Sequence, residues 1–221
     1  YAAGRIEMQV PIQEGPLYAL GAIGLKGQTL FNEEDLRVAL AARAQAGDVA
    51  SGETINAGAQ GLRDFYESRG YMGTMVRPVL NKRAAPGMVD LAYIIREGRY
   101  TTIRNIAIRG NARTRDRVIR RELLVFPGDV YDGVKIRRSE GILRNLGYFA
   151  EQGGVAWYPE STTATDQCDL VFQLEEKPTG NLGVGAAFSS EDDLFAYVEY
   201  GQGNFDWRGW PYVGGGQKLK A

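Results

Sequence analysis

The chain has no histidine and a single cysteine among its 221 residues. Without histidine it lacks the usual general base, the partner that activates Ser and Cys nucleophiles, and the commonest ligand for zinc, copper or non-haem iron. One thiol permits no intramolecular disulfide and no thiolate cluster for metal. An excess of one charge is missing as well. Lys and Arg number 26 against 27 Asp and Glu, a formal net charge of −1, whereas a nucleic-acid binder needs a basic excess to displace counterions from phosphate. Long apolar runs are also lacking. The longest uncharged stretch in the N-terminal part, residues 15–25, falls short of the roughly 20 apolar residues that a membrane helix requires. No P-loop, Gly-x-Ser-x-Gly or metal-spaced motif occurs, and the carboxylates fall at caps, turns and strand ends. Neither an enzyme nor a cofactor is expected. What is present is ordinary for a folded chain, 44% hydrophobic and 24% charged, with one surplus: 29 glycines, unevenly spread.

Laying the chain on itself reveals a repeat. Glu14-Gly15, Ile23, Leu25 and Gly27 return as Glu97-Gly98, Ile106, Ile108 and Gly110, each 83 residues later (97 − 14 and 110 − 27). Gly47-Asp48-Val49, Ile55, Leu62 and Arg63 return as Gly128-Asp129-Val130, Ile136, Leu143 and Arg144 at an offset of 81 (128 − 47). Gly70-Tyr71-Met72 returns as Gly147-Tyr148-Phe149, and Asp90-Leu91 as Asp169-Leu170. A period near eighty exceeds the 20–50 residues of solenoid repeats and indicates two copies of a small domain.

Each copy reads strand–helix–helix–strand–strand. The opening strand ends at Gly27 or Gly110. The first helix has Asn32 or Thr114 as its expected N-cap and places Leu36/Leu40 or Ile119/Leu123 one turn apart. The second helix opens after Ser51 or Asp132 and ends at Gly70 or Gly147, where glycine suits a C′ position. A closing hairpin follows, about 72–79 with 89–96 and about 154–158 with 168–175. Cys168 shares a face with Leu170, Phe172 and Leu174, and so reads as a small buried apolar residue. Residues 5–15 resemble the closing strand of a further copy, so a module is expected ahead of this pair. The copies abut with almost no linker, which favours a semi-rigid string.

The last 44 residues differ: nine are glycine, and two of the three tryptophans lie here. From Asn181 to Phe188, Leu182, Val184, Ala186 and Phe188 alternate with Gly183, Gly185 and Ala187. A turn at 189–193 precedes Leu194, Ala196, Val198 and Tyr200, which alternate with Phe195, Tyr197 and Glu199. A second turn, about 204–209, lies among the aromatics Phe205, Trp207 and Trp210, and a third strand is expected from Tyr212-Val213. One apolar face, a face of small or polar residues and aromatics at the turns form the pattern of a transmembrane β-barrel. A barrel needs about eight strands, so most of it is expected beyond Ala221. A β-meander packed on the soluble part is the alternative.

The tandem modules, the Glu-Gly joints, the Gly-Asn after the opening strand and the Asn145-Leu-Gly-Tyr-Phe149 helix end resemble POTRA domains. The junction Glu175-Glu-Lys-Pro-Thr-Gly-Asn-Leu-Gly-Val-Gly185 resembles the passage from the last such domain into the barrel in the BamA family of outer-membrane protein assembly factors. The fold class expected is therefore α+β, tandem POTRA modules of three-stranded mixed sheet covered by two helices, followed by the first antiparallel strands of a transmembrane barrel. The segments are 1–15, the end of a preceding POTRA domain; 16–98, the penultimate one; 99–177, the last; and 178–221, the truncated barrel start.

That resemblance implies a non-enzymatic factor in the outer membrane of a diderm bacterium, with its modules in the periplasm and the barrel in contact with lipid. It implies unfolded outer-membrane proteins and accessory outer-membrane lipoproteins as partners, with no nucleic acid. Clients would add as strands to the first strand of each closing hairpin, represented by Thr74, Val76, Val79, Val155 and Trp157. Leu182, Gly183, Val184 and Gly185 would form the weak barrel seam that clients open. Arg120, Arg121 and Glu122, in the Arg-rich helix start, would face the lipoproteins, although Pro127 stands where the family has an acidic residue. The resemblance extends to two-partner secretion transporters and TamA-type barrels, which also carry POTRA domains. A KH-type RNA module is disfavoured, because Gly21 to Gly24 lies in a strand rather than between helices.

Overall fold

A computed structural model describes residues 16–82, 87–189, 193–208 and 213–220. The expected closing strand at 5–15 lies outside the described residues, as do Trp210 and Tyr212. In chain order the elements are β1 (Ala19–Lys26), α1 (Glu33–Ala41), α2 (Gly52–Glu67), β2 (Tyr71–Met72), β3 (Met75–Lys82), β4 (Met88–Arg96), β5 (Arg99–Tyr100) and β6 (Thr102–Arg109). They continue with α3 (Asp116–Arg120), α4 (Gly133–Asn145), β7 (Val155–Ser161), β8 (Gln167–Leu174), β9 (Gly180–Ser189), β10 (Asp193–Phe205) and β11 (Gln217–Lys220). The chain divides into two compact units, one holding 1–63 with 75–97 and the other 64–74 with 98–221.

The first unit is a three-stranded sheet in the order β1-β4-β3, with β1 parallel and β3 antiparallel to β4. The chain must cross back to lay β4 parallel to β1, and α1 and α2 make up that crossover. Both helices turn apolar residues inward. Leu36 and Leu40 of α1 and Ile55, Ala59 and Leu62 of α2 are buried with Leu20, Leu91, Tyr93 and Ile95 of the sheet. Each fully buried leucine contributes roughly 1.5–3 kcal/mol relative to exposure. Helix α2 opens at Ser51, whose Oγ accepts from Thr54 N at 3.0 Å. Across the core the Tyr93 hydroxyl donates to Ile55 O at 2.9 Å. Gly58, one turn along, makes room for it, since a Cβ there would stand 2.1 Å from that hydroxyl.

The second unit repeats the plan, with sheet order β6-β8-β7 and β6 parallel to β8. Its core gathers Ile103, Ile106, Val118, Ile119, Tyr131, Ile136, Leu143, Leu170 and Phe172. Cys168 lies in the same core, its thiol pushed up by burial and then by Asp169, so it stays protonated and packs as a small apolar group. The Asp132 carboxylate caps α4, accepting from Val134 N at 3.0 Å and Lys135 N at 2.9 Å. Buried Ser139 donates to Lys135 O at 2.9 Å and accepts from Leu124 N at 2.8 Å, so no polar atom there goes unmatched. The unit also takes in the last turn of α2 and the β2–β5 pair. Arg137 donates to Asp64 Oδ1 at 2.5 Å and to Glu67 Oε2 at 2.7 Å, and Tyr71 pairs with Tyr100.

Several elements depart from the sequence pattern. The first helix of the second module begins after Arg115 rather than Thr114, because Thr114 is buried and bonded elsewhere. Among the described residues the third barrel strand is Gln217–Lys220, and Val213 forms only an isolated bridge with Phe205. The glycine closing each opening strand has a direct cause. Gly27 and Gly110 both adopt φ +89°, and a Cβ would stand 2.2 Å from Ile95 O or 1.9 Å from Leu174 O.

Burial pushes the Tyr93 phenol from 10.0 up to about 12. A raised folded value leaves stability intact below the unfolded value and removes it as pH climbs from 10.0 through about 12. Denaturant unfolding followed from pH 9 to 12 should show a steeper alkaline loss for the wild type than for Tyr93→Phe. Equal slopes would mean that this phenol ionises without consequence for the fold.

Candidate functional site: open strand edges and the barrel junction

A three-stranded sheet has two edges, and in each unit one belongs to the first strand of the closing hairpin. Among the described residues, strand β3 is bonded to β4 alone from Met75↔Arg96 to Lys82↔Val89, and β7 to β8 alone from Val155↔Leu174 to Ser161↔Cys168. A proline sits in the middle of both, Pro78 opposite Tyr93 and Pro159 opposite Leu170. Proline is tolerated in a sheet where its missing N–H would have faced away from the partner strand. By alternation, the backbones of Val76, Pro78 and Leu80 face outward from β3, and those of Val155, Trp157 and Pro159 from β7. Each outward row therefore lacks one donor within the strand.

The residues expected on these edges are divided by the structure. Thr74 precedes β3 and is buried, its hydroxyl donating to Tyr71 O at 2.9 Å and accepting from Gly98 N at 3.0 Å. Val76 and Val155 lie on the edge strands but turn their side chains into the core. Val79 lies on β3 and is half-buried. Trp157 is half-buried, and its Nε1 donates to Glu140 Oε2 at 3.0 Å. What the edges offer is thus chiefly backbone, with the Leu80 side chain exposed beside β3 and Tyr158 beside β7.

Strand β9 occupies a third edge, in the sheet order β11-β10-β9. Its register pairs Val184 with Val198 and Leu182 with Tyr200, so these four share one face. All four are exposed, Leu182 at 70% and Val184 at 76%. On the opposite face Gly183 meets Glu199, and Gly185 lies under the Tyr197 ring, where a Cβ would come within 2.4 Å of a ring carbon. No helix among the described residues is long and apolar enough to cross a membrane.

Polar bonds fasten the root of these strands to the second module. The Glu176 carboxylate accepts from Arg113 N at 2.8 Å and Thr114 N at 2.6 Å, as Glu97 does from Thr29 N at 2.9 Å and Leu30 N at 3.0 Å in the first unit. Buried Asn204 takes φ +53° at the end of β10. Its Nδ2 donates to Thr114 Oγ1 at 2.7 Å, and its Oδ1 accepts from Gly216 N at 3.0 Å. Gly214 N donates to Asn204 O at 2.7 Å, and Arg115 N to Gly214 O at 3.1 Å. The buried Asp206 carboxylate pairs with Arg115 and accepts from Arg208 N at 3.1 Å. Sequence reasoning missed this fastening. An Asn at the start of the expected turn, a residue type suited to a left-handed conformation, was its one available signal.

The Arg-rich segment is largely engaged within the molecule. Arg120 pairs with Asp116 and donates to Ile106 O at 3.1 Å. Arg121 Nε donates to Glu122 Oε1 at 3.1 Å, with both groups reachable from solvent. Among the described residues no cluster of acidic or sulfur side chains is arranged to hold a metal.

The geometry is that of a repeated α+β module leading into a sheet with one exposed apolar face. A family model, "POTRA: Surface antigen variable number repeat", matches residues 18–98 and again 101–177. The outer membrane protein assembly factor BamA of Nitratidesulfovibrio vulgaris is 29% identical over 192 residues, 86% of this chain and 24% of that protein. BamA of Neorickettsia risticii is 29% identical over 196 residues, 87% of this chain and 25% of that protein. Among solved structures, BamA from Haemophilus ducreyi lacking POTRA domains 1–3 superposes at a TM-score of 0.73 with 21% identity, over 92% of this chain and 36% of that one. POTRA domains 3–5 of Haemophilus influenzae BamA give 0.62 with 21% identity, over 72% of this chain and 61% of that one. The chain belongs to the POTRA family and is a POTRA region of the BamA family. It spans about a quarter of the length of these curated relatives. Membership places the modules in the periplasm and the barrel strands in the outer membrane.

Asn204→Ala removes two side-chain bonds at a left-handed residue and leaves buried polar groups unmatched, a cost of about 1–3 kcal/mol. Hydrogen exchange in the full-length protein should then quicken at the Arg115, Gly214 and Gly216 amides. Unchanged protection there would show that Asn204 does not hold the junction.

Proposed function

We propose that this chain is the barrel-proximal part of a non-enzymatic outer-membrane protein assembly factor. Its modules receive unfolded outer-membrane proteins as extended strands at β3 and β7, and accessory lipoproteins dock beside Arg120, Arg121 and Glu122. Clients then pass to the barrel seam at β9. The observation that carries the reading is the sheet order, which leaves the first strand of each closing hairpin bonded on one side only. A strand added there binds through main-chain hydrogen bonds, with little regard to its sequence, as a factor with many different clients requires.

The two edges are unequal. At β7 the Arg144 guanidinium reaches Val155 O at 3.5 Å. Its counterpart in the other module, Arg63, is turned instead to Gln60 Oε1 at 2.6 Å. Strand β3 is therefore the better acceptor. The central proline interrupts either edge, so a client finds pairing on both sides of a gap. That weakens capture and favours release, and it blunts the edge against aggregation. At β9, glycines at 183 and 185 leave two adjacent positions of one face without side chains to pack, which suits a seam that opens. In the Arg-rich segment, Arg120 is committed to Asp116 and Ile106 O, which leaves Arg121 and Glu122 to supply the approachable charge.

The client reading is tested with a photo-crosslinking residue at 80 or 182 in the full-length protein, carrying a stalled client. Adducts should form at both positions. Adducts at neither, with ready crosslinking from position 200, would defeat the reading. Independently, the charge reversal Arg121→Glu with Glu122→Arg should reduce co-purification of accessory lipoproteins, and unchanged recovery would remove that surface from the proposal.

A further inference from the structure

The other edge of each sheet belongs to the opening strand, and it is closed by the same device in both modules. The first half of that edge bonds to the loop between the helices. Leu20 N donates to Asp48 O at 2.8 Å, while Gly47 N and Ala50 N donate to Leu20 O and Tyr18 O, each at 2.8 Å. In the second module Ile103 N donates to Asp129 O at 2.8 Å, Gly128 N to Ile103 O at 2.7 Å and Tyr131 N to Thr101 O at 2.9 Å. The strand then bulges, between Leu20 and Ile23 or between Ile103 and Asn105. Ala22 N in the first bulge donates to Asp90 Oδ1 at 2.6 Å. Asn105, at the corresponding place, gives a backbone hydrogen bond to the Asp169 carboxylate, which Arg104 and then that bond hold below the usual range.

Past the bulge the loop no longer reaches, and an arginine takes over. Arg37 Nη1 donates to Ile23 O at 3.4 Å, while its Nε at 2.9 Å and Nη2 at 2.6 Å are held by Glu33 Oε1 one turn earlier. Arg120 Nη2 donates to Ile106 O at 3.1 Å and is held by Asp116, also one turn earlier. All three members recur at one offset of 83: Ile23 and Ile106, Glu33 and Asp116, Arg37 and Arg120. Over the nine aligned positions 33–41 and 116–124, only two residues are identical. One is the buried leucine, Leu40 and Leu123. The other is this arginine. Helix propensity and burial account for the leucine, but a solvated helix face does not account for the arginine.

What lies beside Ile23 gives the device a purpose. A groove of about 290 Å³ runs along the edge there, lined by Leu40, Ala41, Ala44 and Arg37. An unpaired carbonyl beside an apolar groove is what an added strand exploits, through backbone bonds plus a side-chain pocket. Arg37 occupies that carbonyl and sets a fixed positive charge at the mouth of the groove. We propose that Arg37 and Arg120 are edge guards, which close the opening strand of each module to strand addition and thereby confine it to the closing-hairpin edges β3 and β7. The biological consequence rests on the client reading given above, because a guard gives direction only if strands add elsewhere on the module.

The probe is a ten-residue peptide of alternating valine and threonine with a central benzoylphenylalanine, photolysed with the full-length protein and mapped by mass spectrometry. In the wild type, adducts should fall on 75–82 and 155–161 and be scarce on 19–26 and 102–109. In Arg37→Ala with Arg120→Ala, opening-strand adducts should rise roughly tenfold, the effect of losing one charge-assisted hydrogen bond. An opening-strand yield that stays at the wild-type level, or is already high in the wild type, overturns the guard. Both arginines are about half exposed, so the variant should retain its helical signal and melting transition. If it does not, Glu33→Gln with Asp116→Asn, which unties the guanidinium and keeps the arginine, is judged by the same criterion. Absence of adducts on 75–82 and 155–161 in every protein would instead count against the client reading, while the opening-strand yields still decide the guard.

Discussion

A short sheet must dispose of the backbone groups along its edges, and the organisation of both modules follows from how each edge is met. The closing hairpin cannot be internal on both sides. Strand β4 or β8 takes the centre because it alone pairs with both neighbours, in parallel with the opening strand and antiparallel to its hairpin partner. The parallel pairing forces a long crossover, so two helices must intervene, and their apolar faces close the core. Glycine at the end of the opening strand follows from the same pairing, because the Ile95 and Leu174 carbonyls leave no room for a Cβ. One edge is then covered by the helix–helix loop and, past the bulge, by an arginine, and among the described residues the other is left open with a proline in its strand.

The repeat made much of this legible in the sequence. Matching offsets located both modules, their helix pairs and the closing hairpins, because the residues that recur are those the fold constrains: core aliphatics, helix-ending glycines and the Glu and Gly at the joints. The barrel strands were legible through strict alternation, and β9 and β10 pair in the register that puts Leu182, Val184, Val198 and Tyr200 on one face. Less visible was anything depending on long-range polar bonds. Thr114 looks like an N-cap from its neighbours, yet it is drawn into the core by Asn204, 90 residues away. Thr74 looks like an edge residue but is consumed by the turn ahead of β3. Arg120 stands in a run of arginines that resembles a solvated face, and local sequence does not tell that Ile106 O lies within its reach.

The junction and the edges are linked by the same chemistry. Carboxylates do much of the work at both: Glu97 and Glu176 gather the amides ahead of the first helix in their modules, and Asp90 supports the opening-strand bulge. None of these needs a titrating group near neutral pH, a metal or a thiol. A chain without histidine and with its one cysteine buried loses nothing by their absence if its surfaces of interaction are strand backbones.

On the proposed client reading, asymmetry between the edges is what would make such a module a directional receiver. If both edges were open, a strand could add on either side of each module, and two chains could pair edge to edge. Covering the opening strand by backbone bonds alone would require the helix–helix loop to follow it to its end, but the loop's bonds stop at the bulge. An arginine on the adjacent helix spans the remaining distance, and a carboxylate one turn earlier limits the rotamer freedom it must lose on doing so. The open edge is blunted differently, by a proline that removes one donor without covering the rest. A covered edge excludes a partner, whereas an interrupted one weakens it. On the proposed client reading, that difference lets each module take up an extended chain on one side and let it go.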